Sequence, residues 1–172
     1  MSTNALIGLL KSDGRVISIY SHSDGYPEYL GALLNEHYLN INKVKKLMQK
    51  GDVSILGRNL EPCEAVRRFG FDGLFSKEAR NLPQDEYNRL RNDYLSSDYS
   101  RFYTRDRGEY TPAKVYNSLD GWLEQRFQYQ YLYYQGVWYV YEHGEPIDIL
   151  TGEPVSEHDI PNFTKSSHLK LR

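Results

Sequence analysis

The chain has 172 residues, enough for one domain that buries a sizeable core without disulfide bridges. Its 21 basic and 23 acidic side chains give a net charge of −2. This balance excludes a DNA mimic and a protein that binds nucleic acid through one broad basic face. The single cysteine, Cys63, excludes a disulfide scaffold and a cysteine-based zinc finger, and it fits a reducing compartment.

The start of the chain predicts a β-hairpin followed by two helices. Residues 5–11 are apolar and residues 15–21 alternate, with Ser12-Asp13-Gly14 as the turn between them. Residues 27–38 have helical spacing with proline at the first helical position, and residues 43–50 form a second amphipathic helix. The first apolar run lacks a basic flank, so we expect no signal peptide and a cytoplasmic chain.

The middle of the chain predicts a helical elaboration on the domain rather than a second domain. Residues 58–98 are irregular, with helices expected within 61–69 and at 84–95. Short strands are expected on either side of the elaboration, at 53–56 and at 99–104.

The last third predicts a loop, a helix and an aromatic hairpin. Residues 105–110 read as a charged loop, and Thr111-Pro112 is a cap and first-turn pair that starts a helix to about residue 126. Residues 127–134 and 137–142 alternate and form the clearest pair of strands. Residues 144–172 are rich in turn residues, and we expect an extended C-terminal tail there.

Together these elements predict an α+β fold. Tight hairpins force antiparallel neighbours, so we expect a mainly antiparallel or mixed sheet of about five strands, with helices mostly on one face. Residues 1–143 then form a single domain, and residues 144–172 wrap its surface.

Common catalytic and metal-binding motifs are missing from the sequence. There is no Walker-type phosphate loop, no G-x-G-x-x-G, no G-x-S-x-G and no H-E-x-x-H. The five histidines are scattered, so we expect no metal site and no cofactor. Catalytic residues are unknown at this level, and a role without catalysis is favoured over an enzyme.

The first polar cluster is a candidate ligand site at a strand-to-helix junction. Asp24 and Tyr26 lie where backbone N–H groups at a helix start can hold an anion. The alternative is that Asp24 caps these N–H groups itself.

The second polar cluster consists of Arg105, Asp106, Arg107 and Glu109. Alternating charges over five residues predict either a local ion-pair network or an arginine that grips a carboxylate or phosphate in bidentate geometry. If the two clusters meet in space, they form one polar site for a small anionic or nucleotide-like ligand.

Tyrosine is unusually frequent, with 16 residues in the chain. Tyrosine suits half-buried sheet faces and interfaces, because it combines an apolar ring with a polar tip. Residues 108–172 also hold nine acidic and five basic side chains. The aromatic hairpin is therefore a candidate partner interface, which would consist of Tyr129, Tyr131, Trp138, Tyr139 and Tyr141.

Four motifs in this order resemble a family of small, mostly uncharacterised phage and prophage proteins. They are a "DGYP" turn at 24–27, a "GD-x-S-x-LG" segment at 51–57, an "RDRGE" strand end at 105–109 and a "GxWYVY" hairpin at 136–141. The resemblance covers about residues 5–142. It implies a phage or mobile-element setting rather than a reaction, and residues 58–98 are longer than the family's usual connection.

Two functions follow as hypotheses. The first is an accessory protein that binds and modulates a host or host-defence protein through the aromatic hairpin, without catalysis. The alternative is a protein that binds, sequesters or processes a small anionic ligand through the two polar clusters. Neither hypothesis includes a membrane, and direct binding of nucleic acid is not expected.

Overall fold

The chain begins with the β-hairpin that the sequence predicts. In the computed structural model, which describes residues 2–148 and Pro154, strands β1 (Ala5–Leu10) and β2 (Val16–Ser21) pair antiparallel. Asp13 closes the turn, because its carboxylate accepts the Arg15 N–H at 3.1 Å and also pairs with the Arg15 guanidinium. The turn is thereby satisfied by its own polar side chain.

The two predicted helices follow the hairpin. A single π-helical turn, Pro27–Gly31, continues into α1 (Ala32–His37), and α2 spans Ile41–Lys50. Asn40 caps α2 by accepting the Asn42 N–H at 2.8 Å. The helix ends at Gly51, whose φ of +79° is the conformation that glycine tolerates best.

A helical elaboration lies between two strands of the sheet. Strand β3 (Val53–Ile55) comes before it, and β4 (Arg101–Phe102) comes after it. The elaboration contains α3 (Glu64–Phe69), a 3₁₀ turn (Gly73–Phe75), α4 (Lys77–Arg80) and α5 (Gln84–Tyr94). It has its own small core of buried side chains, which consists of Cys63, Ala65, Val66, Leu74, Ala79 and Leu90.

The rest of the chain completes the sheet. After α6 (Tyr103–Arg107) come β5 (Lys114–Tyr116), α7 (Leu119–Leu123), β6 (Tyr129–Tyr134), β7 (Val137–Glu142) and β8 (Glu145–Ile147). The strand order is β4-β3-β2-β1-β6-β7-β8, and β5 pairs with β2 beside β3. The β1–β6 and β2–β3 pairs are parallel and the other pairs are antiparallel, so the fold is α+β with a mixed, mostly antiparallel sheet.

Both faces of the sheet are covered. Helices α1 and α2 pack on one face over the larger core, in which Leu34, Leu47 and Tyr131 are fully buried. On the other face, Trp122 of α7 is fully buried, and its Nε1–H donates to Ser18 Oγ at 2.8 Å. None of the helices in the described part of the chain is long and apolar enough to cross a membrane.

Two sequence predictions are wrong in detail. The expected loop at 105–110 begins inside α6. The expected helix from 112 to about 126 is reduced to α7, and the residues before it form β5, where Val115 is 55% exposed. The cause is tertiary: the N-terminal half of β2 has an open edge, and β5 supplies its hydrogen-bonding partner.

The strand count also differs from the expected five, because the sheet has eight strands. Strands β3, β4, β5 and β8 have two or three residues each, too few to show an alternating pattern. Strand β8 lies within the expected tail and pairs with β7, and Ile147 forms a bridge with Pro154. The remainder of the expected tail lies outside the described residues.

Candidate functional site

The loop after β2 carries the first predicted cluster. Ser23 N–H donates to Ser54 O at 2.9 Å, which places this loop beside the end of β3. Asp24 has a left-handed φ of +55°, and its side chain does not cap the helix, because the N-cap residue is Tyr26 and no side chain bonds there. The capping interpretation is therefore wrong. Tyr26 is partly exposed and packs edge-on against Tyr29.

Arg105 and Asp106 of the second cluster form a structural ion pair. Arg105 Nε donates to Asp106 Oδ1 at 2.9 Å, and the same guanidinium donates to Leu60 O at 2.5 Å and to Ser100 O at 2.9 Å. Asp106 Oδ2 accepts the Phe102 N–H at 2.8 Å. The pair thus ties together the two ends of the elaboration, as the ion-pair interpretation predicts.

Arg107 and Glu109 also pair with each other. Arg107 Nη2 lies 2.7 Å from Glu109 Oε1, and this hydrogen bond raises the pKa of Arg107. The Arg107 guanidinium lies over the rings of Phe71 and Tyr103, at 4.5 and 4.8 Å from their centroids. The Arg107 guanidinium therefore already has a carboxylate partner and contacts with two aromatic rings.

The two clusters do not combine into one site. Across residues 2–148, no hydrogen bond or ion pair joins Asp24 or Tyr26 to the segment 105–109, and that segment does not line the cleft that Asp24 lines. The six-residue site expected from the sequence is therefore not formed. The cation that lines the same cleft as Asp24 is instead Arg101, in β4.

A cleft of about 290 Å³ lies where the loop after β2, the end of β3 and the elaboration meet. Its polar lining includes Asp24, Tyr29, Tyr94, Ser100 and Arg101. Its apolar lining includes Ile55, Val66 and Leu95. A mostly apolar cleft with a few convergent polar groups is the usual form of a small-molecule site.

Arg101 is the fixed cation of this cleft. Its guanidinium lies 4.9 Å from the Phe71 ring centroid and 5.3 Å from that of Tyr94. Nη1 donates to the Tyr94 hydroxyl and, at 3.5 Å, to Phe71 O. Nε is buried and has no hydrogen-bond partner within residues 2–148. No carboxylate in the described part of the chain forms an ion pair with Arg101, so its charge and part of its hydrogen-bonding capacity are unused.

Tyr29 and Cys63 supply neutral groups to the cleft. Burial, together with the nearby Asp24 carboxylate, raises the pKa of Tyr29 to about 12, and its hydroxyl donates to Leu56 O at 2.7 Å. Burial raises the pKa of the Cys63 thiol, which disfavours the reactive thiolate. Cys63 is therefore a core residue of the elaboration.

Three of the five residues predicted for a partner interface on the aromatic hairpin are buried in the core. Tyr131, Trp138 and Tyr141 are 0%, 3% and 2% exposed, so these three assignments are wrong. Tyr129 and Tyr139 are half-buried. The alternating pattern of these two strands is compatible with a sheet that exposes one face to solvent, whereas helices cover both faces of the folded sheet.

Comparison with known proteins gives no further guidance. The chain matches no family model, no curated protein and no solved structure. The resemblance to phage proteins therefore stays a prediction, and the case for a function depends on the geometry of the cleft.

Arg101 is the site residue that sequence reasoning missed. It lies within the predicted strand 99–104, four residues before Arg105, where the predicted charged cluster begins. Its only sequence signal is a single arginine in a short aromatic strand, between Ser100 and Phe102. Such an arginine is usually read as an exposed position of an edge strand, and only the elaboration packed beside it makes it part of a cleft.

Proposed function

We propose that this chain binds a small anionic ligand in the cleft, with the Arg101 guanidinium as the anion-binding group. The observation that carries this proposal is the partly buried Arg101, which lines the cleft between two aromatic rings and has no ion-paired carboxylate among residues 2–148. A partly buried charge without a counter-charge is costly, and a bound carboxylate or phosphate supplies that counter-charge. The flat guanidinium fork matches both kinds of anion.

The anion-binding group that we propose is Arg101, and not Arg105 or Arg107 of the charged cluster. Arg105 and Arg107 already have carboxylate partners, whereas Arg101 has aromatic rings on its faces and no ion-paired carboxylate among the described residues. Binding or sequestration is the activity that we propose, because the cleft thiol is disfavoured as a nucleophile and Tyr29 stays neutral at physiological pH.

The first prediction is that anions bind at Arg101. Inorganic phosphate, AMP and N-acetyl-L-leucine supply a phosphate, a nucleotide and a carboxylate as probes. We expect at least one of them to shift the Arg101 Nε–H cross-peak in ¹H–¹⁵N NMR spectra. Arg101→Ala should weaken that binding about tenfold or more, because a hydrogen bond to a charged group contributes about 1.5–3 kcal/mol.

The matched control is Arg107→Ala, which removes another arginine from the same Phe71 ring without changing the lining of the cleft. It should leave anion binding unchanged. Arg101→Lys keeps the positive charge but loses the planar guanidinium group. This variant should bind the anions weakly and should melt near the wild-type temperature. If none of the three probes binds, or if Arg101→Ala binds them as well as the wild type does, the proposal is wrong.

A second candidate function is binding and modulation of a host or host-defence protein, in the phage setting that the resemblance implies. The observation that favours it is two large exposed apolar side chains next to Tyr94. Phe75, which is 69% exposed, packs edge-on against the Tyr94 ring, and Leu95, which is 67% exposed, is the next residue in the chain. Exposed apolar groups that lie together are typical of protein-binding surfaces. This surface would replace the aromatic hairpin as the interface.

The test of this candidate is capture of a partner from bacterial lysate with the wild-type chain and with the double variant Phe75→Ser, Leu95→Ser. We expect the double variant to lose any stoichiometric partner. The control variant is Val115→Ser, which changes an exposed apolar side chain on β5. A partner that is retained by the double variant, or lost equally by the control, would count against this surface.

A further inference from the structure

Two opposite charges line the cleft, and neither has an ion-pair partner in the described part of the chain. Asp24 and Arg101 both contribute to its wall, yet they do not pair with each other. Among residues 2–148, neither side chain forms an ion pair with any other residue, although ten such pairs occur elsewhere in this part of the chain. Partly buried charges are normally paired, because removing them from water is costly.

Asp24 is held in the cleft by the backbone around it. Its left-handed φ of +55° turns the chain sharply. Both neighbouring residues are fixed by backbone hydrogen bonds: the Ser23 N–H donates to Ser54 O of β3, and the Gly25 N–H donates to Thr3 O at 2.8 Å. A carbon atom added at Gly25 would lie 2.7 Å from that Thr3 oxygen, so the turn is closely packed. The carboxylate is near enough to the Tyr29 hydroxyl to contribute to its raised pKa.

The remaining wall of the cleft is apolar and the space is small. Ile55, Val66 and Leu95 contribute aliphatic side chains to this wall. The volume of about 290 Å³ lies just below the range of roughly 300–1,000 Å³ that small-molecule sites occupy. A compact ligand with an apolar part fits this space and lining.

We infer that the ligand is a small zwitterion with an apolar side chain, of the class of the aliphatic α-amino acids. This inference rests on the proposed function, and it adds a second charged contact. The ligand carboxylate accepts hydrogen bonds from Arg101, and its ammonium group donates to the Asp24 carboxylate. One molecule thereby supplies a counter-charge to each unpaired side chain, and its side chain covers the aliphatic wall.

The experiment compares three related probes by NMR titration of the intact chain. L-Leucine carries both charges, N-acetyl-L-leucine carries only the carboxylate, and L-leucine amide carries only the ammonium group. We expect L-leucine to bind about tenfold or more tightly than either derivative, since each lost charged hydrogen bond weakens binding by at least that factor.

Asp24→Asn is the decisive variant. Asparagine tolerates a left-handed backbone as well as aspartate does, so the variant should fold and melt like the wild type. It should lose the preference for L-leucine over N-acetyl-L-leucine while still binding the acetylated probe. Arg101→Lys should weaken both probes, and Arg107→Ala should change neither.

The outcomes separate this inference from the proposed function. If N-acetyl-L-leucine, phosphate or AMP binds through Arg101 and L-leucine binds no better, the zwitterion inference is overturned and the anion site stands. If L-leucine keeps its preference in Asp24→Asn, the role assigned to Asp24 is wrong. If no anion and no amino acid binds, both the inference and the proposed function fail.

Discussion

At the scale of single residues, Asp52 shows how a motif residue can serve the fold. Strand β2 pairs with β5 as far as Ser18 and with β3 at Ser21, so the Tyr20 N–H lies between the two partners. Asp52 fills this gap, because its Oδ1 accepts the Tyr20 N–H at 2.8 Å. Its own N–H donates to Thr111 O at 3.0 Å, which connects the same corner to the segment before β5.

We therefore predict that Asp52→Ala destabilises the chain by about 1–3 kcal/mol, since it leaves the half-buried Tyr20 N–H without an acceptor. Asp52→Asn keeps an oxygen in the same place and should stay near wild-type stability. Urea unfolding of the two variants at pH 7 measures the difference. Equal stability of Asp52→Ala and the wild type would show that water satisfies this donor.

The same carboxyl makes stability depend on pH. Burial raises the pKa of Asp52 above its value in the unfolded chain, which is about 3.9. The folded state then binds more protons than the unfolded state between the two values, so the Asp52 contribution to stability falls as pH rises through that window. Unfolding measured from pH 4 upward should show this fall in the wild type, and Asp52→Asn should lack it. Identical pH profiles would refute the assignment.

At the scale of elements, the many tyrosines connect strands and helices to neighbouring loops. Their rings lie in the core and their hydroxyls reach backbone carbonyls: Tyr131 donates to Gly25 O at 2.7 Å and Tyr38 donates to Gly57 O at 2.6 Å. Desolvation raises the pKa of both phenols, so they remain neutral donors. The high tyrosine content is thus explained in part by internal packing, without an exposed aromatic interface.

The elements differ in how well the sequence predicts them. Strands β1, β2, β6 and β7 have six residues each and show clear apolar runs or alternation, and α2 has a clear polar face, so all five are predicted correctly. In contrast, β5 and α7 have three and five residues. Their conformations are decided by strand pairing and by Trp122 packing, which override local propensity.

At the scale of the whole molecule, the elaboration has a core of its own, separate from the two cores of the sheet. Leu90 is fully buried in this core, and Leu47 of α2 is fully buried against the sheet. The cleft has walls from both parts, with Asp24 on the sheet side and Val66 on the elaboration side. The binding site therefore depends on how the elaboration is held on the sheet.

We predict that Leu90→Ala, which should cost about 2–5 kcal/mol, loosens the elaboration before the sheet. Amide hydrogen exchange should become faster in α3 and α5 and stay slow in β1 and β6, and anion binding at Arg101 should weaken. Leu47→Ala is the matched control, and it should speed exchange in the central strands as well. Uniformly faster exchange in Leu90→Ala would mean that the chain unfolds as one unit.

The sequence by itself determined the α+β class, the two long hairpins, the first two helices and the position of the elaboration. These features depend on local patterns of apolar residues, turn residues and caps, which are visible in the order of the residues. It also identified Asp24 as a candidate site residue, because polar residues at the end of a strand stand out from their apolar neighbours.

Only the tertiary structure decided which arginines form ion pairs with carboxylates and which one lines the cleft instead. Arg105 and Arg107 have nearby carboxylates, whereas Arg101 stacks between rings contributed by the elaboration and faces a cleft with Asp24. Likewise, Tyr131 and Trp138 are core residues because layers that are distant in sequence cover both faces of the sheet. Burial and ion pairing depend on contacts between distant segments, and a single sequence does not show which segments meet.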